Sequence, residues 1–288
     1  MKKILFLCLT LFLSLAFAFN SACAPDNPGT SAPGNDKTSE IDKASETDKT
    51  SETDKTSESD DNAGLWDVSD TDVSHIGKNH RLIAFTFDDG PTEKTADLLD
   101  VFEEFNAKNP DFTAHATLFT IGSVLTAQNA DVLQRAVKMD FELGNHTYTH
   151  TNLTTLTDEK IIEELRLTDE KLKNIDGKAV HPVRPAGGHA DKRVLSLYKT
   201  IFINWTATLG ARDYEPSTTE NDIYNMVMTN ALDGGIVLMH QGYAKTVAAV
   251  KRLLPDLKTM GFQVVSVSEL IKFYDVKAET GKLYDSFI

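Results

Sequence analysis

Two cysteines in 288 residues cannot build a disulfide framework. Basic charge is scarce as well, with 29 Lys+Arg against 43 Asp+Glu and a formal net charge of −14. A protein that tracks phosphates needs a basic face, so nucleic acid is not an expected partner. Beyond residue 22 no apolar run reaches transmembrane length. What remains is a chain that is 41% hydrophobic, long enough for one large domain or two small ones with a sizeable core.

The first segment reads as an export signal. Lys2 and Lys3 precede a predominantly apolar stretch from Ile4 to Phe19, and Cys8 lies inside it. Two cleavage patterns compete. Ala16-Phe17-Ala18 fits the small-x-small rule, and Asn20-Ser21-Ala22-Cys23 is similar to a bacterial lipobox with Asn in the usual Leu place. We read residues 1–22 as a signal peptide of the lipoprotein type, with a lipid on Cys23 attaching an exported protein to the membrane. Secretion after cleavage at Ala18 is the alternative. Residues 23–64 follow as an acidic linker. From Asp36 it repeats DKTSEI, DKASET, DKTSET and DKTSES in strict register, with almost nothing apolar to repay ordering. Disorder is the expectation there. Residues 24–62 carry −7 of the net charge, so much of the acidity belongs to the linker.

Residues 65–288 change pattern and alternate strand with helix. Strands are expected at 81–87, 114–122, 141–145, 201–207, 234–240 and 262–267, where short apolar runs end in turn or polar residues. Helical spacing appears over 92–108, 130–139, 158–175, 221–231, 245–260 and 268–273, with Asp158 as the expected N-cap of the third. Such alternation implies an α/β fold with a parallel sheet, open or closed as a barrel. Chemistry in these folds gathers at the C-terminal ends of strands. Those ends carry Asp88 and Asp89, then His146, then Arg184, then His240. His146 and His150, four apart, would share one face of a helical turn. With one carboxylate they make a sound ligand set for a zinc-like ion. Each piece alone has a plainer reading: cap or surface histidines, and turn residues before Gly90-Pro91.

Taken together, TFDDGP (86–91), HTYTH (146–150), RPAGG (184–188) and LMH (238–240) resemble the polysaccharide deacetylase family, the NodB-like carbohydrate esterases, over about residues 80–275. The resemblance implies a distorted (β/α) barrel for the domain at 65–288. It implies one divalent ion on Asp89, His146 and His150, with zinc expected and cobalt or another divalent ion as alternatives. It makes Asp88 the general base, Arg184 the holder of that base, and His240 the general acid. Gly187 would supply an oxyanion N–H, and Pro185, Trp205, Tyr214 and Leu238 would shape the substrate site. Asp213 is assigned to orient His240, and Asn204 is the rival for that role. The implied activity is N-deacetylation of an acetylated polysaccharide, a peptidoglycan or chitin-like glycan, by a monomer. An O-acetyl esterase acting on xylan is the alternative, and a sugar-binding lipoprotein without catalysis is a second one.

The departures from the family pattern bear on substrate shape. Residues 184–188 read Arg-Pro-Ala-Gly-Gly where the family has Arg-Pro-Pro-Tyr-Gly, so a stiffening Pro and an aromatic wall are missing. Of the remaining histidines, His115 reads as a core residue and His189 as a loop residue. His75, His80 and His181 carry no spacing signal.

Overall fold

The computed structural model describes residues 64–287; the export signal, Cys23 and the hexad repeats expected from the sequence lie outside them. The described elements run β1 (Arg81–Gly90), α1 (Thr95–Lys108), β2 (Thr117–Thr120), α2 (Ala130–Lys138), β3 (Glu142–Asn145), α3 (Asp158–Asp176), α4 (Lys192–Ser196), β4 (Phe202–Ile203), α5 (Glu220–Asn230), β5 (Gly235–His240), α6 (Ala244–Thr259), β6 (Phe262–Val265), α7 (Val267–Phe273) and β7 (Leu283–Tyr284). The sequence pattern anticipates all of these except α4 and β7, which are too short to show a period. No helix among the described residues is long and apolar enough to cross a membrane.

The central strands are parallel, in the order β3-β2-β1-β5. Every residue from Leu82 to Asp88 is buried, because β1 is covered on both faces. Ile83, Phe85 and Phe87 pack with Leu98 and Phe102 of α1 and Leu253 of α6, whereas Leu82 and Ala84 pack with Leu270 and Ile271 of α7. β6 pairs with the first half of β1 and β2 with the second half. The His115 N–H donates to the Val264 carbonyl at 3.1 Å, so β6 sits as a wedge between β1 and β2 at their N-terminal ends. On the far side, bridges from Asn145 to Val183 and from Val183 to Phe202 join β3 to β4. β4 pairs with β7, and Ser286 bridges back to Gly235. The sheet therefore closes as a distorted (β/α) barrel, as expected.

One detail of α3 differs from the sequence reading. Asp158 is its first helical residue, not its N-cap; Thr157 takes that place with extended backbone. The Asp158 carboxylate instead accepts from Arg193 at 2.8 Å, and its charge still suits the positive end of the helix.

A buried charge cluster ties α3 to the segment before β4. The fully buried His181 ring bonds Asp169 at 2.9 Å and Asp176 at 3.2 Å, and Tyr198 donates to Asp169 at 2.8 Å. Burial opposes charge on His181, but the two carboxylates outweigh it and raise its pKa to about 9. An imidazole with a raised folded pKa stabilises fully below about pH 6.5 and loses that contribution as pH climbs through about 9. The stability advantage of the wild type over His181→Gln, from urea titrations, should therefore shrink by about 2–3 kcal/mol between pH 6 and pH 9.5. A gap that does not change with pH would mean that His181 is held neutral.

Candidate active site

Asp88 and Asp89 close β1. Register with β2 shifts between Phe87 and Gly90, and Asp89 takes a left-handed backbone with φ of 67°. Successive strand residues normally face opposite sides, and this kink brings both carboxylates to one end of the barrel. Asp88 is 3% exposed, while Asp89 is half-buried.

His146 follows β3 directly, but the expected helical turn does not form. Residues 146–150 make a loop in which Thr147 and His150 have φ of 64° and 60°. A β-branched residue disfavours that region, so something must hold it. The Thr147 N–H donates to Asn145 Oδ1 and its carbonyl accepts from Gly122, each at 2.9 Å. The His150 N–H donates to the Thr147 hydroxyl at 3.1 Å. The loop sets the two imidazole centroids 4.9 Å apart.

These residues fit a divalent cation. Asp89 Oδ1 is buried with no hydrogen-bond partner among the described residues, and it faces His146 Nε2 at 3.4 Å and His150 Nε2 at 3.3 Å. Tetrahedral N and O ligands at zinc-like bond lengths stand about 3.3 Å apart. His146 Nδ1 donates to the Arg184 carbonyl at 2.8 Å, which leaves Nε2 free as a ligand atom. Burial would raise the Asp89 pKa, but the His146 contact and the charges of His146, His240 and His150 bring it below the ordinary carboxylate value. Burial, then His146, lowers that of His150. An ionised carboxylate and a neutral imidazole are the forms that bind metal.

Arg184 is wholly buried beneath the site. Its guanidinium donates to Asp88 Oδ1 at 2.8 Å, to the Thr86 hydroxyl at 2.6 Å, and to the carbonyls of Ile203 and Asn204 at 3.2 and 2.9 Å. It also lies 4.2 Å from the Phe119 ring centroid. Opposite, at the end of β5, His240 Nδ1 bonds Asp213 Oδ1 at 2.6 Å. The other Asp213 oxygen accepts from the His240 N–H at 2.8 Å and from the Thr246 hydroxyl at 2.6 Å. Burial works against charge on His240, but the Asp213 bond and the Asp88, Asp213 and Asp89 charges raise its pKa above the ordinary value. Its Nε2 points to Asp89 Oδ2 at 4.0 Å.

Asp88, Asp89, His146, His150, Gly187, Trp205, Tyr214, Leu238 and His240 line one cleft of about 360 Å³. Pro185 does not line it; it is buried, and its carbonyl accepts from Gly188 at 2.8 Å. Asn204 touches Arg184 and Gly188 rather than His240. Sequence reasoning missed Gly210 and Arg212 in the cleft wall, and Thr86 and Thr246 behind the charged groups. Thr86 opens the TFDDGP motif and could have been found there; Thr246 has no motif signal.

Comparison with known proteins places the chain among similar sequences. The family pattern for polysaccharide deacetylase matches residues 75–203. A peptidoglycan-N-acetylglucosamine deacetylase of Bacillus cereus is 33% identical over 207 residues, covering 69% of this chain and 92% of that protein. A bifunctional xylanase/deacetylase of Pseudobutyrivibrio xylanivorans is 35% identical over 69% of this chain, which spans 32% of that longer protein. The structure of a family 4 acetyl xylan esterase from Clostridium thermocellum, in complex with a cobalt ion, superposes with a TM-score of 0.66 at 25% identity, covering 72% of this chain and 98% of that one.

Proposed function

Since this chain belongs to the polysaccharide deacetylase family of hydrolases, we propose that it removes N-acetyl groups from an N-acetylhexosamine polymer outside the cell, with peptidoglycan as the natural target of a lipid-tethered enzyme. The observation that carries the reading is the cleft with the Asp89–His146–His150 set on one side and the Asp213–His240 pair on the other. When held by those three residues, a divalent ion, zinc in our reading, supplies Lewis acidity toward the acetyl carbonyl and acidifies a water.

The chain's own groups do the rest. Asp88, positioned by the Arg184 guanidinium at 2.8 Å, which the Thr86 hydroxyl helps to hold, accepts the proton of the attacking water. The Gly187 N–H, at φ of 63° on the cleft wall, donates to the oxygen that gains charge. His240, with Nδ1 fixed on Asp213, gives its Nε2 proton to the departing amine. Trp205, Tyr214 and Leu238 form the wall that meets the sugar, and the half-exposed Tyr214 stands edge-on to His240.

The same groups would serve an O-acetyl esterase, and the likeness to an acetyl xylan esterase is the reason to keep that second reading. Acetate release from N-acetylglucosamine oligomers and from acetylxylan, with Zn²⁺ or Co²⁺ added, separates them. The amide substrate should be turned over; hydrolysis of acetylxylan alone would assign the esterase.

A further inference from the structure

The mechanism leaves one histidine cluster unused, at the other end of the barrel. His115 lies two residues before β2 and Glu142 begins β3, so both mark N-terminal strand ends, whereas the cleft lies at C-terminal ends. There the His75 and His115 rings stand 4.4 Å apart, centroid to centroid. His75 Nε2 lies 3.4 Å from Glu269 Oε1, and His115 Nδ1 lies 2.5 Å from the same oxygen. His75 Nε2 is buried and has no hydrogen-bond partner among the described residues.

We propose that His75, His115 and Glu269 form a second divalent-cation site of the zinc type, which fastens the segment leading into β1 to the body of the barrel. One atom from each residue lies within 4.8 Å of the other two. The His75–Glu269 separation already matches the roughly 3.3 Å between tetrahedral ligands. The His115–Glu269 contact is a hydrogen bond; it must lose its proton to solvent and widen by about 0.8 Å as a cation enters. Glu269 is aimed for this, since its Oε2 accepts from the Ser266 N–H at 2.7 Å and turns Oε1 toward the imidazoles. The cluster opens on a cavity of about 450 Å³, large enough for a water to complete the coordination. Asp72, Asp140 and Glu142 on its walls favour a cation, with Lys178 opposing.

The three ligands come from three parts of the chain: the segment before β1, the entry to β2 and the first turn of α7. Residues 66–80 form no helix or strand; Trp66, Val68, Val73 and Ile76 pack against the α7 side of the core, the Trp66 N–H donates to the Ala278 carbonyl at 2.7 Å, and the Gln263 amide donates to the His75 carbonyl at 3.3 Å. A cation shared between His75 of this segment, the entry to β2 and the first turn of α7 would add its binding energy to these contacts.

Metal counting after chelation, reloading with Zn²⁺ and desalting tests the proposal. The wild type should retain about two equivalents, and Asp89→Ala and His75→Gln about one each, with acetate release by His75→Gln within about twofold of wild type. His75 is chosen because its partly exposed side chain tolerates replacement better than the buried His115. In the Asp89→Ala background Zn²⁺ should raise Tm, and adding His75→Gln should remove that rise. No metal in Asp89→Ala, or an unchanged count in His75→Gln, would each overturn the site; a single wild-type equivalent kept by Asp89→Ala and lost by His75→Gln would instead leave this site standing and remove the one in the cleft.

Discussion

Asp88→Asn should lower kcat on N-acetylglucosamine oligomers by about 10²–10⁴-fold while the protein still binds its cation at Asp89, His146 and His150. The amide fills the same volume and can still accept from Arg184, but it cannot take a proton from water. The change also leaves a buried guanidinium without its counter-charge, and breaking a buried pair typically costs about 3–5 kcal/mol. Arg184 retains three other acceptors, in Thr86, Ile203 and Asn204, so folding is expected to survive at reduced Tm. Metal content and circular dichroism, measured beside kcat, separate lost chemistry from lost structure. A folded, metal-loaded variant with near-wild-type kcat would remove Asp88 from the base role.

His240→Ala should discriminate by leaving group. Hydrolysis of the N-acetyl amide should slow by about 10²–10⁴-fold, because an amine leaves only when protonated. Hydrolysis of an activated acetyl ester should fall far less, since a phenolate of low pKa departs unaided. Asp213→Ala should reproduce the pattern in milder form, because Asp213 meets His240 at both the ring and the backbone without facing the reacting atoms. Equal losses on both substrates would mean that His240 shapes the cleft instead of donating. Asn204→Ala serves as the comparison: a larger effect there than at Asp213 would reverse the assignment of the orienting residue.

Strand ends were legible in the sequence because an apolar run that stops at Asp-Asp-Gly-Pro or at His leaves little choice of boundary. The charged groups gathered where those ends pointed. The conformation of 146–150 was not legible. His-x3-His has the period of a helical turn, and only tertiary contacts from Asn145 and Gly122 reveal the left-handed residues that bring the rings together. Pro185 failed as a wall residue for a similar reason. Its neighbours Ala186 to Gly188 form a single tight turn that faces the cleft through Gly187 and turns the proline inward. The pairing of Asp213 with His240 was open in sequence because the two lie 27 residues apart on elements joined through a bridge between Gly210 and Leu238, which has no local signature. The His75–His115–Glu269 cluster was invisible for the same reason, its members being scattered over 194 positions.

Arg184 touches both halves of the chemistry with different parts of itself. Its side chain positions Asp88, and its backbone carbonyl fixes the tautomer of His146. The proposed base and the proposed ligand thus share one datum point, much as two gauges zeroed on the same reference drift together. A displacement of this residue along the barrel axis would carry both groups the same way and preserve their spacing, whereas a rotation of its side chain would move one and leave the other. The spacing between proton acceptor and ligand set is therefore tolerant of breathing in the barrel wall and intolerant of rotamer change at one side chain. Its enclosure by Phe119, Thr86 and two carbonyls blocks that second kind of motion.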